Sequence, residues 1–234
     1  VAYADEVLLD SPLAYWKLDE TSGTNANDSS PNNNDGTYIS NFTLGQPGPM
    51  GDLAVEFPGA GGRINATVST VDTTAGNDVT VEWWQYWDGE ASTGDIFAFN
   101  TAETGNYAVW IDATVNPIIY GFNTFNNDIF GIKVGDGFTA NLWHHIVAVF
   151  RNNSRGACRL FINTIEKTLS QQRNLEGPSN DCTTSIRIGA GAGPAHPWDG
   201  RVAHVAIYNG LLSLERITQH YRVGVGGFLN VKIR

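Results

Sequence analysis

Between Asp28 and Asp35 the chain gathers two carboxylates and three asparagine amides, Asp28-Ser29-Ser30-Pro31-Asn32-Asn33-Asn34-Asp35. Hard cations such as Ca²⁺ take several oxygen ligands from a turn of this kind, which makes Asp28, Asn32, Asn34 and Asp35 candidate ligands of a structural calcium. The same residues form Asx turns that use their oxygens only on local backbone N–H groups, and the pattern leaves both readings open. Aromatic rings supply a second chemistry. Sugars stack their apolar faces on such rings while nearby polar groups bond the hydroxyls, so Trp84, Tyr86, Trp87, Trp110 and Trp198, with Tyr120, are candidate carbohydrate platforms.

Catalytic patterns are sparse. Glycan cleavage calls for paired carboxylates on one strand face. The nearest group is Glu82, Asp88 and Glu90, where Glu82 and Asp88 stand six residues apart and Gly89 interrupts the strand before Glu90. His144 and His145 are neighbours on a strand, point to opposite faces and do not share an ion. His196 and His204 have no carboxylate at triad spacing. The glycine clusters at 59–62 and 189–193 are not followed by a helix and read as turns, not phosphate cradles. The sequence therefore points to a non-enzymatic protein. Cys158 and Cys182 flank two expected strands and make either one disulfide or two free thiols. Asn27, Asn41, Asn65 and Asn152 begin glycosylation sequons, a number that chance explains in so Asn- and Thr-rich a chain.

The elements that must hold these groups are strands. Stretches of apolar and β-branched residues recur at Ala14–Leu18, Leu53–Phe57, Ile64–Val68, Val79–Trp87, Ile96–Phe99, Tyr107–Ile111, Ile118–Phe122, Gly131–Val134, His144–Phe150, Arg159–Ile162, Ser185–Ile188 and Arg201–Tyr208, with turn residues between them. Alternation is clearest in Val79–Trp87, with Val79, Val81, Trp83 and Gln85 on one face and Trp84 and Tyr86 on the other. The run from His145 to Phe150 is apolar on both sides, as in a central covered strand. Tyr3–Leu9 reads as one or two helical turns of an N-terminal docking segment, 1–10. A second short helix begins at the Ser213 cap and ends before Gly224. Beyond it, 222–234 reads as an alternating basic extension, a candidate added strand whose Phe228, Leu229, Val231, Lys232 and Arg234 would make assembly contacts.

Composition agrees with this reading. The chain has 26 glycines, 9 prolines and 22 asparagines among 234 residues, which favours short strands and turns over helices. A net charge of −10 is the wrong sign for binding nucleic acid, and no apolar run is long enough to span a membrane. The expected fold is mostly β, a two-sheet antiparallel jelly-roll sandwich with a short C-terminal helix and one domain at 11–221.

Five landmarks in order, Ser11–Glu20 with the loop Asp28–Thr37, Leu53–Phe57, Val79–Trp84, Leu142–Phe150 and Asp199–Asn209, resemble the concanavalin A-like jelly rolls, specifically the laminin G-like, pentraxin-related modules. The resemblance implies that Trp16, Trp83 and Trp143 belong to the core. It also implies that the 28–35 loop meets an Asp-Glu pair of the last strand around calcium, where this chain has Ala203-His204. Modules of this kind occur among phage structural proteins. A module without leader, linker or second domain is then expected to be a non-enzymatic virion surface protein, a phage head decoration protein. Its partners would be capsid or other virion proteins, copies of itself in a homo-oligomer such as a trimer, and host polysaccharide. The alternative is a secreted carbohydrate-binding module, with a glycan-cleaving enzyme as a remote third.

Overall fold

The computed structural model describes residues 2–90, 92–99, 107–124, 128–174, 179–191 and 196–229. Its strands are β1 (Ala14–Trp16), β2 (Asn25–Ala26), β3 (Gly36–Ile39), β4 (Thr43–Pro47), β5 (Leu53–Pro58), β6 (Arg63–Thr67), β7 (Asp78–Trp87), β8 (Thr93–Phe99), β9 (Tyr107–Asp112), β10 (Ile119–Asn123), β11 (Ile129–Lys133), β12 (Trp143–Arg151), β13 (Arg159–Ile162), β14 (Ile165–Glu166), β15 (Ser170–Arg173), β16 (Ser185–Ile188) and β17 (Asp199–Asn209). They form two antiparallel sheets. An eight-stranded sheet runs β14-β13-β12-β7-β17-β5-β4, with β1 also on β17, and a nine-stranded sheet runs β15-β11-β10-β9-β8-β16-β6-β3-β2.

All twelve expected strands are present, because each alternates or is continuously apolar over enough residues to declare itself locally. The strands that sequence reading passed over, β2, β3, β4, β14 and β15, are short or polar pieces that owe their form to neighbours already in place. Between the sheets Phe150 is packed edge-on by Phe99, Tyr107 and Phe122, with ring centroids 4.8 to 5.1 Å away. Trp16 and Trp83 are buried in the same layer, as the resemblance implied, whereas Trp143 is only partly buried and lies outside that layer.

The outer face of the eight-stranded sheet has a cover of its own. Helices α1 (Tyr3–Leu8) and α2 (Leu214–Leu229) lie over Trp84, Val147, Val149, Phe161, Ala203, Ala206 and Tyr208 and contribute Tyr3, Val7 and Ile217 to a second apolar layer. The N-terminal segment thus docks on its own sandwich. The expected end of α2 at Gly224 is corrected: the helix runs on to Leu229, so residues 222–229 are helical and not a strand. Gly224 lies so close to the sheet that a Cβ there would stand 2.5 Å from Trp84 Cζ2. Close approach, not chain reversal, is what this glycine permits, and Val223 and Val225 pack on the same layer and keep the helix going. Of the assembly residues, Phe228 and Leu229 fall in this helix, while Val231, Lys232 and Arg234 lie outside the described residues. Cys158 and Cys182 are buried free thiols, and Tyr107 Oη lies 2.8 Å from Cys158 Sγ.

Candidate functional site

Five of the six proposed sugar platforms are corrected by burial. Trp84, Trp87, Trp110 and Trp198 are at most 4% exposed and Tyr120 is fully buried, because strands that look half-solvated in sequence are covered on both faces. Tyr86 alone is partly exposed, and the Arg201 guanidinium sits 3.9 Å from its ring centroid.

The 28–35 loop folds as Asx turns. Asp28 Oδ1 accepts the backbone N–H groups of Tyr15 and Ser30, and its Oδ2 accepts Asn34 N–H and Ser30 O–H. Asp35 accepts from Asp28 N–H and from the Asn25 amide, and those bonds hold its pKa below the usual carboxylate range. Asn32 and Asn34 donate to the carbonyls of Pro12 and Leu13. On β17 Ala203 has no side-chain oxygen, and His204 is engaged by Asp52 at 2.5 Å and Tyr15 at 2.6 Å. The Asp28 and Asp35 carboxylates are thus occupied by donors of their own loop and its neighbours, and among the described residues no three His, Cys, Asp or Glu side chains are grouped to hold a metal ion.

A cleft that sequence reading did not anticipate opens on the outer face of the nine-stranded sheet. Register places Thr93, Asp112, Ile119 and Lys133 opposite one another across β8, β9, β10 and β11, and the next row is Asp95, Trp110, Gly121 and Gly131. Cross-strand partners share a face, so both rows point away from the sandwich core. Trp110, Ile119 and Ile129 form a small apolar cluster there. From the edge strand β15, Arg173 reaches over it, its guanidinium 5.2 Å from the Trp110 ring centroid and its Nη1 donating to Asp112 Oδ2 at 2.6 Å. Thr114 donates its N–H and O–H to Asp112 Oδ1. His196 stands edge-on to Trp110 at 5.3 Å, with Nδ1 2.7 Å from Thr93 Oγ1. Burial and the neighbouring Arg173 lower the His196 pKa, against the weaker pull of Asp112, so the ring is neutral at pH 7.

The cleft encloses about 520 Å³, and Val115, Asn116, Pro117 and Gln172 complete its walls. That is the size of a small-ligand site. Below it, both Asp95 carboxyl oxygens and the Trp110 indole N–H are buried without a hydrogen-bond partner among the described residues. Burial pushes the Asp95 pKa up to about 8.

A second polar group lies sealed beneath the helices. Glu82 on β7 is fully buried, with His145 Nε2 at 3.2 Å and His220 Nδ1 at 3.0 Å, and Tyr208 Oη donates to it. His220 Nε2 in turn lies 2.8 Å from Asp10, which Arg216 also grips while reaching Glu6 at 2.7 Å. Glu82 was weighed from sequence as a hydrolytic carboxylate. Here it is the anchor for α2.

A laminin G-type family model, described as the concanavalin A-like lectin/glucanases superfamily, matches residues 58–218. No curated protein matches the chain in sequence. Among solved structures, domain 4 of AbnA, an extracellular arabinanase from Geobacillus stearothermophilus, in complex with arabinotriose, is similar with a TM-score of 0.61 at 16% identity, covering 90% of this chain and 98% of that one. The binding domain of botulinum neurotoxin serotype D is similar with a TM-score of 0.64 at 14% identity, over 91% of this chain and 52% of that one. The chain therefore spans about half the length of the toxin domain.

Proposed function

The chain belongs to the concanavalin A-like lectin/glucanase superfamily, and on that premise we propose that it is a non-enzymatic carbohydrate-binding module whose glycan lies in the cleft of the nine-stranded sheet. The observation that carries the reading is the cleft's construction. Val115, Pro117 and Ile119 offer an apolar side to the C–H face of a sugar, and Thr93, Thr114, Asn116, Gln172, Arg173 and His196 ring it with hydrogen-bonding groups. Arg173 and Thr114 already both donate to Asp112, so little ordering is required on binding. The arabinotriose complex of the structurally similar arabinanase domain supports a sugar as ligand. The sealed position of Glu82 supports a non-catalytic role, since no substrate reaches it.

A glycan panel followed by calorimetry on the best binder tests this. Arg173→Ala and Val115→Asn are each expected to weaken binding about tenfold, near 1.4 kcal/mol, without loss of fold. Unchanged affinity in both variants would move the site elsewhere.

A finer reading places the module on a virion surface as a head decoration protein. Its support is the family resemblance together with three leucines, Leu9, Leu211 and Leu214, exposed where the two helices begin and end. Co-sedimentation with particles lacking the protein is expected to be lost in a Leu9→Ser/Leu214→Ser variant, and retained binding there would remove this attachment surface.

A further inference from the structure

We propose that the glycan taken by this cleft is acidic, bearing a carboxylate on at least one sugar unit; the proposal rests on the carbohydrate reading above. The charges of the lining carry it. Three charged side chains face the cleft, Asp112, Lys133 and Arg173. The single carboxylate is turned into the protein: the Asp112 side chain is 2% exposed, and its oxygens already accept three donors, two from Thr114 and one from Arg173. The cations are what a ligand meets. The Arg173 side chain is 35% exposed, with N–H groups left over from its one bond to Asp112, and Lys133 is exposed with no ion pair among the described residues. A chain of net charge −10 thus presents a locally cationic concavity.

Two neighbouring groups on this face add no charge of their own. Asp95, in the next row of the same face, has no hydrogen-bond donor on either oxygen among the described residues, and a carboxyl so buried keeps its proton at neutral pH. His196 contributes a neutral ring. Planar guanidinium groups pair carboxylates through two parallel N–H bonds, and an ammonium adds a point charge within a Debye length, so an anionic sugar gains where a neutral one gains only its hydroxyl bonds. The apolar wall of Val115, Pro117 and Ile119 still calls for a sugar ring and not a bare anion.

Matched oligosaccharides of equal length and linkage separate the ideas: oligogalacturonate against oligogalactose and oligoglucuronate against oligoglucose, titrated into the full chain at low and high salt. The acidic member of at least one pair is expected to bind tenfold or more tightly than its neutral counterpart at low salt, with the difference shrinking as salt rises. Lys133→Gln, at an exposed position whose side chain makes no ion pair among the described residues, is expected to lower the ratio of acidic to neutral affinity at least threefold, and an unchanged ratio would count against the acidic assignment. Neutral members that bind as well as the acidic ones would overturn the acidic assignment and leave the carbohydrate reading standing. Failure of every oligosaccharide, in these pairs and in the wider panel, would overturn both.

Discussion

Replacing Glu82 by Ala is expected to destabilise the protein by about 3–5 kcal/mol, the cost of leaving buried partners of an ion pair uncompensated. A domain's whole stability is typically about 5–15 kcal/mol, so this one change threatens the fold. The residue is fully buried under α2, and its carboxylate is the common acceptor for His145, His220 and Tyr208. Burial alone would raise its pKa, but His220 and His145 outweigh burial and hold it well below the usual carboxylate range. His220 shows the counterpart: burial opposes its charge, yet Glu82 and Asp10 hold its pKa above the ordinary imidazole value.

The signs then set a pH window. The Glu82 contribution is complete above its unfolded pKa near 4.5 and is lost as pH falls toward the depressed folded value. The His220 contribution is complete below its unfolded pKa near 6.5 and is lost as pH rises through the raised folded value. Urea denaturation across pH 3–9 should therefore show the helical layer held best between these limits. In Glu82→Ala both edges should flatten and the midpoint should drop at every pH. A Glu82→Leu/His220→Leu pair, which removes charge from both sides, should cost far less than either single change. A midpoint unchanged in Glu82→Ala would show that the network does not hold α2.

The second large effect runs in the opposite direction. Asp95→Asn is expected to stabilise the protein above neutral pH. Among the described residues Asp95 has no partner for either oxygen, and burial moves its pKa from 3.8 to about 8. A group that binds its proton more tightly when folded makes stability fall as pH rises between the two values, and each tenfold difference in proton affinity corresponds to about 1.4 kcal/mol. Wild type and Asp95→Asn should melt alike near pH 4 and separate by at least about 2 kcal/mol by pH 8, with the variant the more stable. Parallel melting curves over this range would mean that Asp95 finds a partner in solution. Asp95 adjoins the cleft without entering it, one row from Asp112 on the same face of the sheet.

The cleft shows why this site was hidden from sequence reading. Thr93, Asp112, Lys133, Arg173 and His196 come from five separate segments, and none is flanked by a motif. Their meeting depends on the register of β8 through β11 and on Arg173 reaching in from an edge strand too polar to be recognised as one. A weak signal existed in Asp112 and Lys133, charged residues ending otherwise apolar strands, but nothing local relates the two. The tryptophans misled for a related reason. Alternation says which side chains share a face and is silent on what covers that face, so Trp84 and Trp110 read as surface until α2 and Arg173 are in place above them.

The positions of the longer strands, the sandwich class and the grouping of Val79, Val81 and Trp83 on one face were settled along the chain, because side-chain alternation and turn chemistry act over a few residues and need no partner to be read. The fate of Gly224, the sealing of Glu82 and the cationic cleft were settled only in three dimensions. Each depends on groups tens of residues apart being brought within a few ångströms, where exclusion of water decides both burial and charge.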